Sequence, residues 1–170
     1  MKTVVLCTND GKSLGTEEII GAHTNGGQLH KAFSVLIFNK DTTKILIQKR
    51  ADEKMLWAKH WSNTCCSHPK EEKTIEQEAA TRLQEECGFT CPLSVQSAFT
   101  YKEEDPNGNG TEHEYDTILI GAVDESVTLN PDPREIAEMK WVYVKELQND
   151  MINHPKMYTP WFHQIMDILS

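Results

Sequence analysis

The chain has 170 residues, 38% of them apolar and 25% charged, and carries a net charge of −9. That length suits one domain with a substantial core, and the mixture excludes a collagen, a coiled coil or a wholly disordered chain. A negative field argues against nucleic acid or an anionic membrane as the main partner, although a local cationic pocket or a bound metal reverses the sign for a small anion. No apolar run approaches the roughly 18–20 residues of a transmembrane span. The stretch Val4 to Leu6 is too short for a signal-peptide core. Five scattered cysteines, at 7, 65, 66, 87 and 91, fit a reduced, cytoplasmic chain better than a disulfide framework.

In chain order, Ala32 to Phe38 and Lys44 to Arg50 are short runs rich in strand formers, and their polar link Asn-Lys-Asp-Thr-Thr predicts a hairpin. Thr74 to Cys87 reads as a helix: Thr74 and Gln77 make a capping box, Ile75, Ala79 and Leu83 form an apolar stripe, and Gly88 stops it. Val95 to Tyr101 reads as a strand, Glu103 to Thr111 as a turn or loop, and Glu112 to Val123 as a second strand. Met139 to Val144 is one more strand. Thr159-Pro160 opens a last helix, with Thr159 as cap and Trp161, Ile165 and Leu169 as its inward stripe. Strands interleaved with few helices indicate an α/β or α+β sandwich.

The densest chemical signal is Ser62-Asn63-Thr64-Cys65-Cys66-Ser67-His68-Pro69. A cysteine near a histidine serves as a thiolate nucleophile, an acid/base or a metal ligand, or the cysteines are simply buried and structural. His23 and His30 follow no zinc-finger spacing and taken alone are ordinary histidines. Glu112 and Glu114 sit two apart and face the same side of a strand, where they repel unless a cation lies between them or one is protonated. Together, three imidazoles and two carboxylates suit Mn²⁺, Zn²⁺ or Mg²⁺.

The helix adds a second clue. Leu83-Gln84-Glu85-Glu86-Cys87-Gly88-Phe89 resembles the tail of a Nudix box. Where the rest of that box requires Gly, Glu, Arg and Glu, this chain has Ser67, Lys73, Thr81 and Arg82. The pattern implies a Nudix-like fold and argues against Nudix-type hydrolysis. Arg82 and Glu86 also read simply as an i,i+4 ion pair on an exposed helix face, worth a few tenths of a kcal/mol.

From about Val4 to its C-terminus the chain resembles the type 1 isopentenyl-diphosphate isomerases of the Nudix-fold superfamily. The resemblance is carried by Ala22-His23-Thr24, Leu29 to Ser34, the SNTCCSHP segment, the degenerate Nudix tail, Glu112 to Asp116, Leu129 to Pro133 and Thr159 to Phe162. It implies one Nudix-like isomerase domain over residues 1–170, a mixed-sheet sandwich with flanking helices, that interconverts isopentenyl and dimethylallyl diphosphate. It implies Cys66 as the essential thiol, Glu114 as the acid/base opposite it, Tyr101 hydrogen-bonded to that glutamate and Trp161 over the reacting carbons. His23, His30, His68, Glu112 and Glu114 would hold a divalent metal, and Glu86 a Mg²⁺ on the substrate diphosphate. Arg50, Lys54 and Arg82 would bind the diphosphate. Where the family has a further lysine this chain has Ile19, which leaves two alternatives: a weaker grip on the diphosphate, or compensation by Lys31 or another base. The expected partner is a small isoprenoid diphosphate. The competing readings are a Nudix-type diphosphate hydrolase and a non-catalytic metal-binding module.

Overall fold

The computed structural model describes residues 2–170. Its centre is β3 (His30–Asn39), a strand with apolar residues pointing both ways because both faces are covered. β3 pairs in parallel with β8 (Thr111–Val123) over a ten-residue register from His30↔Glu114 to Asn39↔Val123. It pairs antiparallel with β1 (Thr3–Cys7), with β4 (Lys44–Arg50) and with the short β6 (Cys65–Ser67). β2 (Ser13–Glu18) extends the sheet beyond β1, β5 (Trp61–Ser62) and β9 (Ile136–Tyr143) pair with β4, and β7 (Ser94–Glu104) pairs with β8.

Strand alternation divides the core into two layers. Phe33, Val35, Ile37, Leu46 and Cys65 face α2 (Ile75–Cys87), which answers with Ala79, Leu83 and Cys87, all fully buried. Leu36, Ile45, Ile47 and Ile118 face the other way, onto α3 (Val144–Asn153) and α4 (Pro160–Ile168). The result is the expected mixed-sheet sandwich. The apolar stripe and the capping box of α2 are present, and Gly88 adopts φ +84°, where a Cβ would lie 2.6 Å from that of Asn130. The capping box alone is worth about 0.5–2 kcal/mol.

Several boundaries differ from the sequence reading. β7 runs on to Glu104, so the turn shrinks to residues 105–110, and Val144 begins α3 rather than ending β9. α3 has no side-chain cap and only Leu147 and Met151 buried, which left little local signal. β1, β2, β5, β6 and α1 (Ile19–His23) are five or six residues or fewer, too short for periodicity to mark. Thr159 does precede α4, but its hydroxyl meets Ser62 Oγ at 3.0 Å and makes no cap bond. The inward stripe of α4 is Trp161, Phe162, Ile165 and Met166, with Leu169 left at the surface. Among the described residues no helix is long and apolar enough to cross a membrane.

Candidate active site

Register places the central carboxylate. Glu114 on β8 lies directly opposite His30 of β3 on one side and Tyr101 of β7 on the other, so the three side chains share a face. Cys66 lies opposite Ser34, four residues along β3 from His30, and His68 follows Cys66 by two, so both fall on that same face.

Four donors converge there: the ligand atoms of His23, His30, His68 and Glu114 lie within 4.8 Å of one another. His30 and His68 bring their Nε2 atoms to 3.2 Å, and Glu114 Oε1 lies 3.1 Å from His68 Nε2 and 3.5 Å from His30 Nε2. His23 Nδ1 donates to the Ile19 carbonyl at 2.5 Å and His30 Nδ1 to that of Gln28 at 2.7 Å. A carbonyl only accepts, so both Nδ1 atoms carry hydrogen, and each ring in its neutral form turns an Nε2 lone pair into the cluster. The separations of 3.1–3.5 Å among His30, His68 and Glu114 suit ligands of one ion with bonds of about 2.0–2.2 Å, so this donor set fits a divalent metal. Glu112 stands at the rim, its Oε2 2.9 Å from His23 Nε2. Burial disfavours the charged ring of His23, but the Glu112 carboxylate outweighs it and lifts the pKa to about 9. Burial lowers that of His68. Burial works against the Glu114 charge too, yet the adjoining imidazoles of His30 and His68 hold its carboxyl well below the usual range.

The other oxygen of Glu114 faces an aromatic pocket. Tyr101 donates to Oε2 at 2.6 Å, and its ring lies 6.0 Å from Trp161, which meets Trp57 edge-on at 5.4 Å. Trp161 Nε1 donates to Ser62 Oγ at 3.1 Å, Ser62 donates to Asn63 Oδ1 at 3.0 Å, and the same oxygen accepts the Cys66 thiol at 3.1 Å. Asn63 is fully buried, and its Nδ2 donates to the carbonyls of Val35 and Cys65, which fixes that orientation. Burial, and then the nearby Asp116, push the Cys66 thiol up to about 12. Asp116 is itself driven well above its ordinary range by burial and Glu114, and accepts from Ser34 Oγ at 2.7 Å. The pocket therefore pairs a protonated thiol with an ionised carboxylate. Arg50 is buried within it, its guanidinium 5.2 Å from the Trp161 ring and donating twice to the Leu56 carbonyl.

Lys54, Arg82 and Glu86 form a separate group. Glu86 lies on the α2 side of β6, where it accepts from Arg82 and from Cys65 Sγ at 3.4 Å; it is not part of the histidine cluster. Its carboxylate is buried rather than surface-exposed, so the exposed ion pair read from the sequence is half right. Lys54 Nζ donates to Glu135 Oε2 at 2.6 Å. Lys31 does not replace the missing base, because it points to the opposite face from His30 and is paired with Glu71 at 2.5 Å. Sequence reasoning missed Asn63, Ser34, Asp116 and Glu135 as members of the site. It also missed Asp105, which accepts the Trp57 amide at 2.8 Å and so holds that ring.

The sheet sandwich and helix α2 define a Nudix-class protein, and residues 28–162 match the NUDIX domain family. Solved structures agree on the fold: a protein from Deinococcus radiodurans superposes with a TM-score of 0.70 at 13% identity over 90% of both chains. A MutT protein from Methanosarcina mazei gives 0.65 at 13% over 82% of this chain and 91% of that one. Sequence relatives are more specific. The isopentenyl-diphosphate Delta-isomerase of Halorhodospira halophila is 40% identical over 166 residues, 98% of this chain and 94% of that protein. The one from Nocardia farcinica is 39% identical over 166 residues, 97% and 93% of the two. The chain belongs to the isopentenyl-diphosphate Delta-isomerase family within the NUDIX proteins.

Proposed function

We propose that this chain interconverts isopentenyl and dimethylallyl diphosphate. The observation that carries the reading is the position of Glu114, with one oxygen toward the histidines, the other on Tyr101, and the Cys66 thiol in the same aromatic pocket. The alkene shift needs one proton delivered to the terminal methylene and one removed from C2, with no net gain or loss. A protonated thiol and an ionised carboxylate are such a donor and acceptor; the forward shift leaves thiolate and carboxylic acid, the acceptor and donor of the reverse shift, and return of one proton from the carboxyl to the thiol through solvent resets the pair. Between the two transfers the tertiary carbon is positive. The Trp161 face stabilises such a cation by about 0.5–2 kcal/mol. The buried rings of Trp57, Trp161 and Tyr101 keep out water that would capture it as an alcohol.

His23, His30, His68, Glu112 and Glu114 would hold a divalent metal, Mn²⁺, Zn²⁺ or Mg²⁺, which when bound would supply a fixed positive charge beside Glu114. Glu86 would hold a Mg²⁺ that arrives with the diphosphate, and Arg50, Lys54 and Arg82 would supply donors to the diphosphate oxygens. The hydrolase reading is weaker, because Lys73, Thr81 and Arg82 stand where that chemistry needs its Glu, Arg and Glu. Five free cysteines suit a reducing, cytoplasmic setting.

The test is incubation of the Mn²⁺- and Mg²⁺-loaded protein with isopentenyl diphosphate in D₂O, followed by NMR. Dimethylallyl diphosphate carrying deuterium is the expected product. Unchanged substrate after Mn²⁺, Zn²⁺ and Mg²⁺ loading, or released phosphate, overturns the proposal.

A further inference from the structure

Lys54 and Arg82 come from different elements, a loop after β4 and helix α2, yet a single carboxylate spans them. Glu135 Oε2 accepts Lys54 Nζ at 2.6 Å, while its Oε1 lies 3.8 Å from Arg82 Nη2 and 3.9 Å from Lys2 Nζ. The side chain is 18% exposed. Its backbone is fixed on both sides: the carbonyl accepts the Ala51 amide at 3.0 Å, and its own amide donates to Asp132 at 3.0 Å. Just beyond it the β4–β9 ladder slips. Lys49 faces Glu138 but Arg50 faces Ile136, so Ala137 is an extra residue. A bulge of this kind re-aims a neighbouring side chain and is often found beside active sites.

Donor counts show what Glu135 leaves available. An ammonium has three N–H donors and Glu135 engages Lys54 through one hydrogen bond, so two remain. A guanidinium has five; Ser67, Glu85 and Glu86 take three from Arg82, so two remain. We propose that Glu135 is a positioning residue for diphosphate: it fixes the Lys54 ammonium beside Arg82 so that their remaining donors meet one diphosphate group. Lysine carries about 2 kcal/mol of rotamer entropy, and a lysine already held loses less of it when the anion binds. The proposal rests on the reading of Lys54 and Arg82 as diphosphate ligands, and adds a residue that touches no substrate.

The test has two readouts. Calorimetric titration of the Mg²⁺-loaded protein with inorganic diphosphate gives saturable binding. Glu135→Gln weakens it at least tenfold, and Glu135→Asp, which keeps the charge, recovers most of the loss. In turnover Glu135→Gln raises KM at least tenfold while kcat falls less than threefold. Glu135→Gln and Lys54→Gln combined lose no more than the worse single change, whereas a general folding defect would add to it. Equal or tighter diphosphate binding by Glu135→Gln, additive losses, or no binding by the wild type overturns the proposal. Glu135-dependent diphosphate binding without conversion of isopentenyl diphosphate would leave it standing and overturn the isomerase reading instead.

Discussion

Tyr101 and Glu114 face each other across β7 and β8, and the phenol donates to Oε2 at 2.6 Å. The proton that matters to Glu114 therefore moves at an oxygen already held by a neighbour. Tyr101→Phe keeps the ring packing and removes that hydrogen bond, one worth about 1.5–3 kcal/mol when the acceptor is charged. We expect kcat to fall roughly 10- to 100-fold, with the fold intact. Steady-state kinetics beside near-ultraviolet circular dichroism checks this, and an unchanged kcat removes Tyr101 from the mechanism.

Cys66 and Glu114 separate by what else they hold. Cys66 touches Asn63 and Ser34, whereas Glu114 belongs to the histidine cluster as well. Cys66→Ala is expected to abolish turnover and deuterium exchange while metal content stays at the wild-type level. Glu114→Gln is expected to abolish turnover and also lower metal content. Atomic spectroscopy on the two variants decides it; an active Cys66→Ala protein would remove the thiol from the reaction.

Much of this arrangement was legible in local pattern. The capping box and apolar stripe located α2, and the two-residue spacing of Glu112 and Glu114 placed both on one face of a strand. His23 and His30 carry no metal-site spacing of their own and gain weight only when counted with His68, Glu112 and Glu114. What joins His30 to Glu114 is a pairing between β3 and β8, more than eighty residues apart in sequence, which no local window registers. Glu135 is one of 26 acidic residues and gains its meaning only from the slipped β4–β9 ladder. Thr159 was misread because its local signal, a threonine before a helix-opening proline, favours a cap, while Ser62 lies close enough to engage the hydroxyl instead.

Trp161 is 3% exposed, packs on Tyr101 and Trp57, and donates its Nε1 hydrogen to Ser62. If its π face stabilises the cation, Trp161→Phe retains part of that effect and Trp161→Ala retains none. Removing so large a buried ring also costs about 3–5 kcal/mol of stability. The comparison is therefore made on kcat well below each variant's melting temperature. We expect at least a tenfold greater loss for alanine than for phenylalanine; equal losses would assign Trp161 to packing alone.

Metal and protons compete for the same imidazoles, which gives the cluster a pH signature. In the metal-free protein the His23 pKa is raised from 6.5 to about 9 by Glu112. A raised pKa means that protonated His23 stabilises the fold. That contribution is complete below pH 6.5 and is lost as pH rises through 9. His68 is shifted the other way, so its contribution is present above its ordinary pKa and lost as pH falls. A metal needs His23 neutral, so its binding strengthens over the window in which the proton's contribution fades. Saturation at a hundred times the dissociation constant adds about 2.7 kcal/mol. Thermal melts of chelator-treated protein are expected to show Tm falling between pH 6.5 and 9. Added Mn²⁺ is expected to raise Tm more at the alkaline end than at the acid end. His23→Gln removes the titrating group and is expected to flatten the metal-free trend. A metal-induced rise in Tm that is equal at both ends of the range would show that His23 is not displaced from its proton by the metal.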